Sequence, residues 1–202
     1  MAHYTGPKGK INRRLGVSVY ENGGARRALS RRDSAPGMHP RPRKVSDYGL
    51  ALLEKQKLKH YYGWNERPLR RVFDLAKRQP GDTGEALLNL CERRLDNIVR
   101  RGGLVKTRPQ ARQGIAHGHF RVNGRKVQSA SYLCRAGDIV TVKNRPNLVN
   151  LYGAMQAEAE TEIPTWLSAQ TGTLSVTVTA LPGPKDHSAP VNVALIIELL
   201  SR

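Results

Sequence analysis

The fold of this chain turns on residues 107–127: Thr107-Arg108-Pro109-Gln110-Ala111-Arg112-Gln113-Gly114-Ile115-Ala116-His117-Gly118-His119-Phe120-Arg121-Val122-Asn123-Gly124-Arg125-Lys126-Val127. The first four residues spell a capping box. Thr107 caps a helix, Pro109 sits in its first turn where a missing N–H costs nothing, and Gln110 reaches back from the third helical position. Ala111, Ile115 and Ala116 turn inward, and Gly118 ends the helix. Phe120-Arg121-Val122 then alternates as a strand does. Asn123-Gly124 is the pair that a two-residue hairpin demands, and Lys126-Val127 runs back.

Upstream, Arg93–Arg101 reads as a helix with Leu95, Ile98 and Val99 facing in, stopped by Gly102-Gly103. Downstream, Gly137-Asp138 turns the chain into a strand, Ile139–Val142. Two short helices therefore feed a small antiparallel sheet. Further on, Met155–Ile163 is helical in pattern, and Pro164-Thr165-Trp166-Leu167 anchors the chain. Thr173–Ala180 alternates with Leu174, Val176, Val178 and Ala180 on one face. Residues 182–190 form a Pro/Gly loop, and Val193–Leu200 reads as a short, largely buried helix.

Before this unit lie more helices. Ser46 or Asp47 can cap one whose apolar face includes Leu50, Leu53 and Tyr61, ending at Gly63. A second runs from Glu66 to Gln79, with Leu69, Val72, Phe73 and Ala76 in one stripe. A third follows Thr83, with Leu87, Leu88 and Cys91 inward. Residues 1–45 hold ten Gly or Pro and show no lasting period. They read as a basic extension that orders on RNA. The expected class is α+β: basic extension 1–45, helical domain 46–91 joined by a C-terminal helix over about 193–202, and a domain with an antiparallel sheet over 92–192, which the charge and the resemblance below mark as the RNA-binding domain.

Charge narrows the function. The 202 residues carry 34 Lys+Arg and 16 Asp+Glu, a formal +18. Residues 1–79 hold 19 basic and 6 acidic side chains, residues 80–145 hold 13 and 5, and residues 146–202 hold 2 and 5. Solubility alone gives no reason to segregate charge in this way, whereas lying on a phosphate surface does. No run of eighteen apolar residues exists, so no membrane span is expected. The start has no apolar signal core, so no secretory address is expected either. Two cysteines, Cys91 and Cys134, are too few for a disulfide scaffold or a four-thiolate metal site.

No enzyme signature stands out: there is no phosphate loop, dinucleotide-binding glycine motif, serine elbow or His-Glu-x-x-His. No catalytic residue, metal ligand or cofactor is expected, and His117-x-His119 is a weak metal signal. The basic constellation is the stronger one. Arg108 and Arg112, four apart, share a helix face opposite much of the apolar stripe and are expected to be exposed. With few aromatics nearby, such a surface suits folded RNA read by shape and backbone better than single-strand stacking.

Arg94-Leu95-Asp96-Asn97-Ile98-Val99, then Thr107–Gln113, then Val122-Asn123-Gly124-Arg125, resembles the RNA-binding domain named after the fourth protein of the bacterial small ribosomal subunit. Met1-Ala2-x-Tyr4-x-Gly6-Pro7, Ser46-Asp47-Tyr48-Gly49 with Glu54-Lys55-Gln56-Lys57, Pro164–Leu167 and Ile197-Glu198-Leu199 are similar to the family of that ribosomal protein. They occur in the family's order over almost the whole length. The resemblance implies a structural, non-enzymatic protein. It would bind small-subunit ribosomal RNA directly, nucleate assembly of the 5′ domain and lie on the side where messenger RNA enters. It would touch small-subunit proteins five and three, influence accuracy, and work in the ribosome in the cytoplasm.

The RNA-binding residues expected on residue type and resemblance together are Arg13, Arg14, Arg41, Arg43, Lys44, Lys55, Lys57, Arg70, Arg94, Arg108, Arg112, Gln113, His117, Arg121, Asn123, Gly124, Arg125 and Lys126. Arg41, Arg43 and Lys44 map onto the family's basic cluster near messenger RNA, although Pro40 and Pro42 interrupt it. Many family members bind zinc through four early cysteines. This chain has none before Cys91, which implies a zinc-free form. Arg94-Leu95-Asp96 is also similar by letters to a pseudouridine synthase motif, but it lies inside the binding domain, with no catalytic domain of adequate size after it.

Overall fold

The computed structural model describes residues 4–32, 34–38, 44–158, 162–170 and 172–202. They fall into two compact units. One runs to Leu87 and resumes at Ser188–Arg202; the other is Leu88–His187. No helix among the described residues is long and apolar enough to cross a membrane.

The first unit is helical: α1 (Lys8–Leu15), α2 (Gly23–Arg31), α3 (Asp47–Tyr61), α4 (Glu66–Lys77), the start of α5 (Thr83–Glu92), and α9 (Val193–Ser201). The early residues depart from the extension expected of them. Leu15, Val19, Tyr20 and Ala25 are buried. The buried Asn12 amide makes two hydrogen bonds to the Tyr20 backbone. Its Nδ2 donates to the Tyr20 carbonyl (3.0 Å) and its Oδ1 accepts from the Tyr20 N–H (2.9 Å). Gly9 lets α1 meet α2, because a Cβ there would lie 2.8 Å from the Ala28 methyl. Each of these contacts joins residues well apart in sequence, so the short windows in which period is sought do not reveal them.

Helix α3 begins as expected, with the Ser46 side chain accepting from the Gly49 N–H. Its inward face differs. Ala51, Lys55, Leu58 and Tyr61 are buried, while Leu50 is 44% exposed. The stripe thus begins one residue later, and the smaller Ala51 takes the inward place. Leu69, Val72, Phe73 and Ala76 of α4 are buried together. Helix α9 packs on α3, with the Asn192 N–H donating to Glu54 Oε2 (2.8 Å). It is buried only at Ile196, less deeply than its composition suggests.

The Tyr20 hydroxyl lies 3.0 Å from Nδ1 of His60, against whose edge Tyr4 packs. Burial, aided by neighbouring Lys59, lowers the His60 pKa to about 4. In the unfolded chain the imidazole titrates near 6.5. The neutral ring therefore contributes fully above pH 6.5, and the contribution is lost as pH falls through about 4. Denaturant unfolding at a series of pH values is expected to show this loss in the wild type and a flatter profile in His60→Gln. Identical profiles would remove the claim.

The second unit contains the end of α5, α6 (Leu95–Arg101), α7 (Arg108–Ala116), α8 (Pro146–Ala157) and five strands: β1 (Phe120–Val122), β2 (Arg125–Lys126), β3 (Ile139–Val142), β4 (Leu167–Gln170) and β5 (Ser175–Val178). All pairings are antiparallel, in the order β2-β1-β3-β5-β4. The chain is α+β. Its sheet covers a core that includes Leu95, Ile98, Ile115, Phe120, Val140 and Val176.

The capping box forms in full. Thr107 Oγ1 accepts from the Gln110 N–H, and the Thr107 N–H donates to Gln110 Oε1. Asn123 and Gly124 both adopt positive φ, +49° and +76°, the pair of conformations a tight hairpin requires. Arg94 caps α6 rather than lying within it. Helix α8 starts at Pro146, earlier than the helical pattern begins, and ends at Ala157. The alternation over 173–180 breaks at both ends: Leu174 is a buried turn residue at φ +48°, and Ala180 is exposed. Cys91 and Cys134 are both buried, and no disulfide joins them. Burial, with Asp138 nearby, pushes the Cys134 thiol up to about 12, so it is no nucleophile.

Candidate nucleic-acid interface

Two kinds of cation occupy the second unit, and they do different things. Arg94 is 2% exposed and grips Asp96 in a fork: Nε to Oδ1 at 2.9 Å and Nη2 to Oδ2 at 2.6 Å. Arg112, on α7, donates from Nε to the same Oδ2 at 2.7 Å. Burial alone would raise the Asp96 carboxyl. The two guanidiniums outweigh it and hold the carboxyl below the usual carboxylate range. Arg108 donates from Nε to Asn97 Oδ1 (2.9 Å), and Asn97 Nδ2 donates onward to the Glu92 carbonyl (3.0 Å). Two strands of polar contact thus fasten α7 to α6.

Arg94 and Arg108 are therefore not surface contacts. Arg108 was expected to be exposed and is 5% exposed. It leans back onto Asn97 of α6, whose side-chain oxygen accepts from its Nε. The Arg112 side chain keeps 20% exposure, so one face remains available. The Asp96 carboxylate, 1% exposed and held by two arginines, has no access to a substrate. That removes the catalytic meaning of the Arg94-Leu95-Asp96 letters.

The second kind of cation is open. Arg121, Arg125 and Lys126 of the hairpin are exposed, as are Gln113 and His117 at the end of α7 and Gly124 in the turn. Among the described residues, none of the three hairpin cations forms an ion pair. Asn123 does structural work as well. Its Nδ2 donates to Asp138 Oδ1 (2.8 Å) and its Oδ1 accepts from the Ile139 N–H (2.9 Å), which locks the hairpin to the 137–138 turn.

Lys126 runs back over the end of α7. A Cβ on Gly118, which has φ +71°, would fall 2.5 Å from Lys126 Cε. Gly118→Ala is expected to cost about 1–2 kcal/mol through backbone strain, and to displace Lys126. Thermal unfolding checks the first effect. A stability equal to wild type would show that the glycine is not required.

The residues that sequence reading missed are Lys143 and Arg145. The β1–β3 register pairs Phe120 with Val142, and the Lys143 N–H donates to the His119 carbonyl (2.7 Å). This brings Lys143 among the hairpin cations. Arg145 first, then burial, Arg121 and Lys126 depress the Lys143 pKa. The only sequence signal was the charge itself; the neighbourhood comes from strand pairing.

The remaining candidates lie in the first unit. Lys55 is 9% exposed and bound to Glu66 Oε1 at 2.6 Å, so its charge is already matched in a part-buried ion pair. Lys57 pairs with Glu54 at 2.5 Å. Arg13 donates from Nε to the Ser34 carbonyl (3.0 Å). Arg14, Lys44 and Arg70 are exposed. Arg41 and Arg43 lie outside the described residues. Among the described residues, no group of three or more His, Cys, Asp or Glu side chains could hold a metal ion.

A capped helix pair on a small antiparallel sheet, fronted by cations whose charge the protein leaves unmatched, defines an α+β protein of the polyanion-binding kind. Comparison with known proteins gives the particular family. Residues 3–92 match the family described as Ribosomal protein S4/S9 N-terminal domain, and residues 93–140 match the S4 domain. Small ribosomal subunit protein uS4 of Rhodopirellula baltica is 57% identical over 202 residues, covering the whole of both chains. The uS4 proteins of Roseiflexus castenholzii and Gloeobacter violaceus are 47% and 44% identical, again over the full length of both chains. The chain belongs to the uS4 family of small-ribosomal-subunit proteins, which are structural and non-enzymatic.

Proposed function

We propose that this protein is a structural component of the small ribosomal subunit that binds ribosomal RNA directly, through the open cations of the second unit together with exposed basic residues of the first. The observation that carries this reading is full-length likeness to uS4 proteins, joined to a hairpin whose Arg121, Arg125 and Lys126 have no ion-pair partner among the described residues. Backbone phosphates supply what the protein withholds. Arg94, Arg108 and Lys55 serve this by holding the frame, and Arg112 works from one open face.

The finer role follows the family resemblance. The protein nucleates assembly of the 5′ domain, lies where messenger RNA enters, neighbours small-subunit proteins five and three, and affects translational accuracy in the cytoplasm. Lys44, exposed ahead of α3, supports the contact near messenger RNA.

Sedimentation of the tagged chain in cell extract tests the central point. Under high-salt washing it should track with the small subunit and leave that fraction when RNA is digested. Sedimentation away from the small subunit would end the proposal.

A further inference from the structure

We propose that the cleft between the end of α7, the end of β3 and the start of α8 is a binding site for one phosphodiester of RNA, gripped by Lys143 and Arg145 with His119 as a proton-linked third donor. The site rests on the reading that the chain binds ribosomal RNA, and gives that binding a particular address.

The cleft has a volume of about 380 Å³, within the span of small-ligand sites, about 300–1,000 Å³. Its walls bring together donors from three elements: His117 and His119, Lys143 and Arg145, and the first turn of α8. Arg145 caps α8, and its carbonyl accepts from the Leu148 and Val149 N–H groups, both at 2.9 Å. Pro146 has no N–H. The Asn147 N–H is left without a partner among the described residues, at the positive end of a 12-residue helix.

The side chains tell the same story. Among the described residues neither Lys143 nor Arg145 has a carboxylate partner, and each sits within the field of the other. Arg121 and Lys126 add to it. Such crowding costs the protein free energy unless an anion enters.

Tyr152 of α8 engages His119 at Nδ1 (2.9 Å), leaving Nε2 for a ligand. Burial, then His117, Arg145 and Lys143, hold the His119 pKa below its ordinary value. Among the described residues, His117, Arg145, Lys143 and Tyr152 are the charged and titratable groups that act on the ring. A phosphate in the cleft reverses the sign of that field. Binding therefore takes up a proton, and affinity rises as pH falls.

The test uses the full chain and deproteinised small-subunit ribosomal RNA. Lys143→Gln with Arg145→Gln removes the grip; Arg135→Gln with Lys185→Gln removes equal exposed charge elsewhere in the same unit. The expected result is that the slope of log affinity against log salt becomes shallower by roughly 0.7–0.9 in the first variant only, one phosphate's share. From pH 7.5 to 5.5 the wild type should gain about threefold to fivefold more affinity than His119→Gln, because the proton taken up on binding has no place in the variant. Equal slopes in the two double variants overturn the cleft while leaving RNA binding intact. Wild-type pH dependence in His119→Gln overturns the histidine's part. Failure of the wild type itself to bind the RNA overturns the broader reading instead.

Discussion

Asp96→Asn is expected to be among the most damaging single substitutions in the second unit. The carboxylate is 1% exposed and answers two guanidiniums, of which Arg94 is itself 2% exposed. Replacing it with a neutral amide of the same shape takes the carboxylate away from an Arg94 that is charged and dry. Breaking a buried pair on one side costs about 3–5 kcal/mol, well above what the intact pair adds over a well-packed apolar alternative. That is a large share of the stability of a unit of this size. In urea, the transition that carries this unit should shift to a midpoint roughly 1–2 M lower.

Arg112→Gln should cost less, because Arg112 is partly solvated and its loss leaves Asp96 still paired with Arg94. Acid should mimic the effect. The folded Asp96 pKa is depressed, so its contribution is complete above the unfolded value, near 3.9, and is lost as pH falls from there through the lower folded value. An Asp96→Asn protein that unfolds at the wild-type urea midpoint would show that the buried pair does not hold α6 and α7 together.

The contrast between Asp96 and the hairpin shows what kind of information the sequence carries openly. The capping box at Thr107-Gln110 and the Asn123-Gly124 turn are local: each is complete within four residues, so residue types alone dictate the backbone. The Leu69–Ala76 stripe is likewise contained in one helix. Burial of Arg108 depends instead on Asn97 and Glu92, eleven and sixteen positions away, and only the packed helix pair brings them within reach. The same holds for Asn12 and Tyr20, whose mutual hydrogen bonds fold the early residues into the helical unit. Lys55 reads as a contact until Glu66 turns out to face it. Charge counted along the chain finds cations but cannot sort matched from unmatched ones. Lys143 joins the interface only through the β1–β3 register, which no period in the sequence encodes.

That sorting decides how RNA binding should respond to salt. A cation already paired within the protein releases no counterion from RNA, because its charge is spent before the complex forms. Arg94 and Lys55 therefore drop out of the account, and unmatched cations such as Arg121, Arg125, Lys126, Lys143 and Arg145 remain in the second unit, with exposed residues such as Arg14 and Lys44 in the first. If about six phosphates are engaged, log affinity should fall against log salt with a slope of roughly −4 to −5, which means a loss of roughly 250- to 1000-fold between 50 and 200 mM. Arg121→Gln, Arg125→Gln and Lys126→Gln together should flatten the slope by about 2–3, whereas Lys55→Gln should lower stability and leave the slope unchanged. Filter binding of ribosomal RNA across a salt series measures both. A slope near zero in the wild type would show that the unmatched cations are not what meets the RNA, and a slope that Lys55→Gln flattens as much as the hairpin variant does would show that buried and open charges had been wrongly told apart.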